Sequence, residues 1–275
     1  MWRTSQYDRH MRGPSITARA VALGRSRLVR PQTPTGEPRM EAQLYAGLGG
    51  PLWWPVGVRW QRRVAARTRF FDEVTLAAIK ASVSQVVIVG AGYDGRALRF
   101  SDPGVRFFEV DHPQTQPEKR RRMQALGVRP GTVTYVPHDL TKGDLPGALT
   151  TAGHDPMRPT LFICEGLLLY LTRPVIEHLL KDLRACSEPA ASLLALSAGE
   201  AIAGAPKAAK ARVDLQRLLL ATIGEPRQSQ FKPGELDGVL RSTGWRIARE
   251  RTRVRAARNG RLILAKPDAT ETASA

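Results

Sequence analysis

At 275 residues and 42% hydrophobic content, the chain suits one medium-sized domain with an extension, or two small ones, and is too apolar to be disordered. Its formal net charge of +17 comes from 34 arginines and 8 lysines against 25 acids, and 13 of the arginines fall within the first 70 residues. Such a balance suits nucleic acid, an acidic membrane or an anionic substrate. No zinc knuckle or RNP-type aromatic strand accompanies it, however, and GC-rich coding inflates arginine without any partner, so nucleic acid is not expected as one.

The most apolar stretch, Leu161 to Leu171, is interrupted by Glu165 and is shorter than the ~20 residues of a spanning helix, so no transmembrane segment is expected. The charged first 20 residues lack the apolar run of a secretory signal. Cys164 and Cys186 have no metal-site spacing and cannot make a disulfide framework, which fits the cytoplasm.

In chain order, residues 1–57 are basic and Pro/Gly-rich, and read as a loosely ordered arm. Residues 59–82 place Val64, Phe70, Phe71, Val74 and Ala77 or Ala78 at helical spacing. QVVIVG (85–90) follows, a β-branched apolar run without alternation, which reads as a parallel strand buried on both faces. GYDGRALRF begins a helix, VRFFEVD (105–111) is a second strand, and Gln114 to Leu126 a basic helix. TVTYVP (132–137) is a third strand, Asp144 to Thr151 a short helix, and TLFICEG (160–166) a fourth strand. A helix starts near Thr172, whose hydroxyl is placed to cap it before Pro174. ASLLALSA (191–198) is a fifth strand, a polar helical insertion covers about 205–222, and Lys232 to Ser242 is a helix. GWRIARER and NGRLILAKP are two late strands, and 268–275 a disordered tail. Repeated strand–helix units give an α/β, doubly wound sheet, and assign 58–267 to the folded domain.

Ligands of such sheets sit outside the carboxyl ends of the strands. After the first strand stands Gly90-Ala91-Gly92-Tyr93-Asp94-Gly95, whose glycines let the backbone turn tightly against a ligand. After the second stands Asp111, able to accept from both hydroxyls of a ribose. After the third come His138-Asp139-Leu140, where the acid could accept from an adenine amino group and the leucine pack on the ring. After the fourth comes Glu165. Each acid alone fits a surface carboxylate or a helix cap equally well; acids after three successive strands, beside a glycine turn, do not coincide readily.

QVVIVGAGYDGRALRF, FFEVDHPQTQPEKRRR, VPHDL and RPTLFICEGLLLYLT, with ARTRFFDEV ahead of them, resemble the leucine carboxyl methyltransferase family, in particular its bacterial S-adenosylmethionine-dependent branch. The resemblance runs from about Arg67 to Pro267. It implies a Rossmann-like class I methyltransferase fold: a seven-stranded, mostly parallel sheet with helices on both faces and an antiparallel final strand. It also implies S-adenosyl-L-methionine as cofactor and methyl transfer, with an oxygen of a small molecule as the expected acceptor.

Carried over, Gly90 and Gly92 approach the methionyl part of the cofactor, with Asp94 close by. Arg67 pairs with its carboxylate, Arg69 being the alternative on another helix face. Asp111 holds the ribose, Asp139 and Leu140 the adenine, and Glu165 the methionine amino group or the site floor. Tyr170 either lines the acceptor pocket or packs in the core, and Trp53, Trp54 and Trp60 either cap an acceptor or anchor the arm. Gly95 stands where the family often has threonine, the substrate-binding features of the protein-phosphatase methylating members are missing, and residues 1–57 match nothing in the family.

A carboxylate acceptor needs no general base, whereas a hydroxyl benefits from one. His112, His138 and His154 are the candidates, the first two beside the ribose and adenine acids and the third toward the opposite edge, so no catalytic residue is assigned. No metal site is expected.

Three rival readings compete. An NAD-dependent oxidoreductase shares the glycine turn and Asp111, but none of the five tyrosines has a lysine four positions later. An RNA-directed methyltransferase suits the charge, but Cys164-Glu165-Gly166-Leu167 stands where base-amine enzymes carry an Asn/Asp-Pro-Pro-Tyr/Phe motif. A non-catalytic relative would have no need of intact Asp111 and Asp139.

Overall fold

The structure is a computed structural model, and it describes residues 16–46, 48, 58–202, 228–253 and 258–268. Three helices precede the sheet: α1 (Ile16–Ser26), α2 (Pro38–Tyr45) and α3 (Val58–Lys80). Strands and helices then alternate as β1 (Gln85–Val89), α4 (Arg96–Arg99), β2 (Arg106–Asp111), α5 (Gln116–Ala125), β3 (Thr134–Pro137), α6 (Leu145–Thr151) and β4 (Thr160–Cys164). A 3-10 turn (Leu168–Tyr170), α7 (Arg173–Ala185), β5 (Leu193–Ala201), α8 (Glu235–Ser242), β6 (Trp245–Arg253) and β7 (Arg258–Pro267) complete the described chain.

The seven strands form one sheet in the order β3-β2-β1-β4-β5-β7-β6. β1 pairs in parallel with β2 and β4, β2 with β3, and β4 with β5, while β7 runs antiparallel to both β5 and β6. The order reverses at β1, so the carboxyl ends of β1, β2 and β4 border a switch-point crevice. Every residue of β1 and β4 is buried, as the unbroken apolar runs QVVIV and TLFIC require of central parallel strands.

Alternate side chains feed two cores. On one face Val87, Val89, Phe108, Val110, Phe162 and Leu196 pack with residues of α6, α7 and α8. α7 buries Ile176, Leu179, Leu180 and Leu183, the i, i+3, i+4, i+7 stripe of an amphipathic helix, at roughly 1.5–3 kcal/mol each. On the other face Val86, Ile88, Phe107, Leu161 and Ile163 meet Phe70, Phe71 and Val74 of α3 and Ala22, Leu44 and Tyr45 of α1 and α2.

Three expectations need correction. Residues 16–46 carry two helices and contribute to that second core instead of forming a loose arm; Arg25 and Arg30 among them are paired with buried acids, which composition does not reveal. The helix after the glycine turn is a single turn, α4, because Asp102-Pro103-Gly104 follows it. Thr172 stands at the N-cap of α7 in an extended conformation, but its hydroxyl makes no capping hydrogen bond; its carbonyl accepts from Ile176. The expected insertion at 205–222, Trp53, Trp54 and the tail 269–275 lie outside the described residues, as does the side chain of Trp60.

Candidate cofactor site

The turn after β1 begins with Gly90, whose N–H donates to the Val110 carbonyl of β2 at 2.8 Å. Gly90 and Gly92 have φ of 66° and 49°, left-handed values that cost little only for glycine. At Gly92 a Cβ would stand 3.1 Å from Ala18 of α1, so this helix lies directly over the turn. Gly95 is closed from behind: a Cβ there would sit 2.4 Å from Glu41 Cγ and 2.9 Å from the Tyr45 hydroxyl. The threonine common in the family has no room here, because α2 fills its place.

Asp111, at the end of β2, accepts from the N–H of Gly92 at 2.5 Å, the N–H of His112 at 2.7 Å and the Thr115 hydroxyl at 2.9 Å. A carboxylate offers about four acceptor positions, so one remains for a ligand hydroxyl and a second opens if Gly92 N–H turns away. Asp139, at the end of β3, accepts from the N–H and hydroxyl of Thr141 at 3.0 and 2.7 Å, and lies 3.1 Å from Lys142 Nζ. Burial works to raise its pKa, but these donors hold it below the ordinary carboxylate value. Leu140 packs half-buried against the first core, and His112 Nε2 lies 4.0 Å from Asp139. Asp111 and Asp139 therefore stand side by side at the ends of adjacent strands.

Glu165, at the end of β4, is 3% exposed, and three guanidiniums converge on it. Arg67 Nε donates to its Oε1 at 2.8 Å, while Arg25 Nη2 and Arg96 Nη1 lie 2.7 and 2.8 Å from Oε2. Asp94 shares two of them, at 3.1 Å from Arg25 and 2.5 Å from Arg96. Burial opposes ionisation of both acids, and the guanidiniums overcome it: Asp94 titrates below the ordinary range and Glu165 far below. Gly166, at φ 72°, keeps the space beside Arg67 Nη1 open; a Cβ there would stand 3.1 Å from it. Arg67 is the most accessible of the three, at 26% against 6% for Arg25 and 0% for Arg96. Arg69 is exposed on a different helix face.

Tyr170 is half-buried, its hydroxyl 3.0 Å from that of Thr17 on α1. His154 lies at the far edge of the sheet, buried, with Nε2 3.1 Å from the Thr160 hydroxyl; burial takes its pKa down to about 4. It is a core residue. Among the described residues no group of three or more His, Cys, Asp or Glu is placed to hold a metal, and no helix is long and apolar enough to cross a membrane.

Sequence reading missed Arg25, Asp72 and Arg96. The available signals were weak: an arginine two positions after Asp94, and a lone acid within the aromatic stretch Phe70-Phe71-Asp72.

The glycine turn, Asp111, Asp139 with Leu140, and the oppositely charged Arg67–Glu165 pair stand together at four neighbouring strand ends, a chemistry that fits a nucleoside carrying an amino acid.

The leucine carboxyl methyltransferase family model matches residues 26–184. The chain belongs to that family. The match begins at Ser26, within the segment that sequence reading left unmatched. A Frankia alni protein named "Putative S-adenosyl-L-methionine-dependent methyltransferase" is 37% identical over 73% of this chain and 68% of its own length. A Mycolicibacterium gilvum protein of the same name is 36% identical over 76% of this chain and 68% of its own. A Mycolicibacterium smegmatis relative is 41% identical, but over 48% of this chain and 44% of its own length. The crystal structure of Synechocystis magnesium protoporphyrin IX methyltransferase with bound S-adenosylhomocysteine superposes with a TM-score of 0.52 at 16% identity, covering 84% of this chain and 94% of that one, a shared fold. This family member is an S-adenosyl-L-methionine-dependent methyltransferase, which sets the oxidoreductase reading aside.

Proposed function

We propose that this methyltransferase acts in the cytoplasm on an oxygen of a small molecule, a carboxylate or a hydroxyl, and holds its cofactor through Arg67, Gly90, Gly92, Asp94, Asp111, Asp139, Leu140 and Glu165. The observation that carries the cofactor assignment is the row of groups on successive strand ends: the Gly90–Gly92 turn on β1, Asp111 on β2, Asp139 on β3 and Glu165 on β4. S-adenosylmethionine supplies an activated methyl group, so the protein's task is chiefly to hold acceptor and methyl in line. Asp111 accepts from the ribose, and Asp139 with Leu140 receives the adenine. Arg67 turns its fork from Glu165 to the methionine carboxylate, freeing Glu165 for the ammonium. Thr17 and Tyr170 face each other beyond the β4 turn, where the acceptor would enter.

The oxygen acceptor is favoured by the placement of the imidazoles. His112 and His138 stand at the ribose–adenine end, His154 at the opposite edge, and His178 on α7 beside Asp182. None of these four lies at the methionyl end, which suits an acceptor already ionised, such as a carboxylate. Calorimetric titration with S-adenosylhomocysteine tests the site, and a screen of small acids and phenols with labelled S-adenosylmethionine tests the acceptor. Saturable binding with label transferred to an acid or phenol is the expected result. Transfer to bulk RNA that falls steeply with salt would replace the small-molecule reading.

A further inference from the structure

We propose that Arg96 is a positioning residue for cofactor capture: anchored from behind by Asp72, it holds Asp94 and Glu165 together as two carboxylates facing the methionyl end of the site. The inference rests on the reading of Glu165 as partner of the methionine ammonium.

Arg96 is fully buried, so it reaches no ligand itself. Its backbone N–H donates to Asp94 Oδ1 at 2.9 Å, and its Nη1 stands 2.5 Å from Asp94 Oδ2 and 2.8 Å from Glu165 Oε2. One guanidinium thus joins acids that arrive from two different strand ends, β1 and β4. Its Nε donates to Asp72 Oδ1 at 3.0 Å, and Asp72 is itself gripped by the Arg30 fork at 2.6 and 3.0 Å. The Phe71 ring lies 5.6 Å from the guanidinium carbon and limits its swing. Arg96 therefore has one place to be.

Two buried carboxylates that share a site repel, and without compensation one of them keeps its proton near neutral pH. Asp94 faces Arg25 of α1, Arg96 of α4, Glu165, and Lys119 of α5, whose Nζ lies on the Asp94 carbonyl. Glu165 faces Arg25, Arg67 of α3 and Arg96. Arg25 also bridges the two acids, but from α1, a helix at the mouth of the site, and Arg67 is the group assigned to the methionine carboxylate. When Arg67 engages or releases cofactor, the buried Arg25 and Arg96 stay on both acids, and Arg96, fully buried and tied as well to Asp72 and to Asp94 through its own backbone N–H, is the more firmly held of the two and keeps both acids ionised. A protonated Glu165 would present a neutral acid to an ammonium and lose the charge-assisted bond.

The test is calorimetric titration of S-adenosylhomocysteine into wild type, Arg96→Gln, Arg96→Lys and Asp72→Asn at pH 6 to 8, with melting temperatures in parallel. A ¹³C carboxyl titration of the ligand-free wild type reads the acids directly. Expected are a nearly flat pH profile for wild type and binding about 10- to 100-fold weaker in Arg96→Gln. The deficit should grow as pH falls toward 6, with partial recovery in Arg96→Lys and a smaller loss in Asp72→Asn. A merely structural residue would lower stability and affinity by the same factor at every pH, without recovery by lysine, and that result overturns the proposal. So does ligand-free wild type in which either acid titrates above pH 5, a readout that survives if Arg96→Gln fails to fold. Failure of folded wild type to bind at all would instead overturn the reading of the site, and this inference with it.

Discussion

Removing the Asp111 carboxylate separates the task the structure shows, holding the turn, from the proposed one, holding ribose. In the folded chain it accepts from Gly92 N–H, His112 N–H and the Thr115 hydroxyl. The residue is half-buried, so water can reach these donors once the side chain is gone, and Asp111→Ala should cost about 1–3 kcal/mol of stability. At about 2–4 °C per kcal/mol for a chain of this size, melting should fall by several degrees while the fold survives. Cofactor loses two hydrogen bonds to a charged acceptor, about 1.5–3 kcal/mol each, and affinity should drop by about 10²- to 10⁴-fold. Calorimetric titration with S-adenosylhomocysteine and a thermal melt on the same preparation measure both effects. An affinity within about threefold of wild type, in a variant whose melt shows the stability loss, would refute the ribose role.

Other consequences are open to simpler measurements. Glu165→Gln leaves Arg25, Arg67 and Arg96 without their shared carboxylate, and should destabilise by about 3–5 kcal/mol, read in urea unfolding. Because the folded-state pKa of Glu165 is depressed, its stabilisation is complete above the ordinary carboxyl pKa and disappears as pH falls through the depressed value; the gap between wild type and variant should close only in strong acid. Glu109 has the opposite sign. Burial raises its carboxyl to about 7 despite Lys119 at 2.6 Å, so the folded state binds the extra proton and stability should decline between about pH 4.5 and 7. Glu109→Gln should flatten that slope in a pH series of unfolding curves; an unchanged slope would assign it to another group. Gly95→Thr drives a side chain into Glu41 and Tyr45 and should cost about 1–3 kcal/mol, so an undiminished melting temperature would show that α2 yields.

The strands were legible because their burial is written locally. QVVIV and TLFIC are apolar without alternation, and nothing but a central parallel strand suits them at that length. The glycine turn and the acids after β2, β3 and β4 were legible for the same reason: each is placed by its own strand. The N-terminal helices were not, because their stability depends on partners far along the chain. Arg25 meets Glu165, Arg30 meets Asp72, and Arg99 meets Glu41, pairings that no spacing rule connects. Read singly, such arginines are solvated charges; only the folded core shows them to be internal. Gly95 is similar, since its apparent departure from the family is explained by Glu41 and Tyr45, about 50 residues earlier.

The placement of β7 bears on how the polypeptide comes off the ribosome. β5 and β6 are both made before the strand that joins them, since β7 lies between them in the sheet and after them in the chain. Until residues 258–267 have left the exit tunnel, β5 presents an open row of backbone donors and acceptors on one side, and β6 has no neighbour to pair with. Such an edge is a template for strands of other nascent chains. The arginines strung along β6, at 246, 249 and 251, give the waiting strand a like-charge repulsion against its own copies on a polysome.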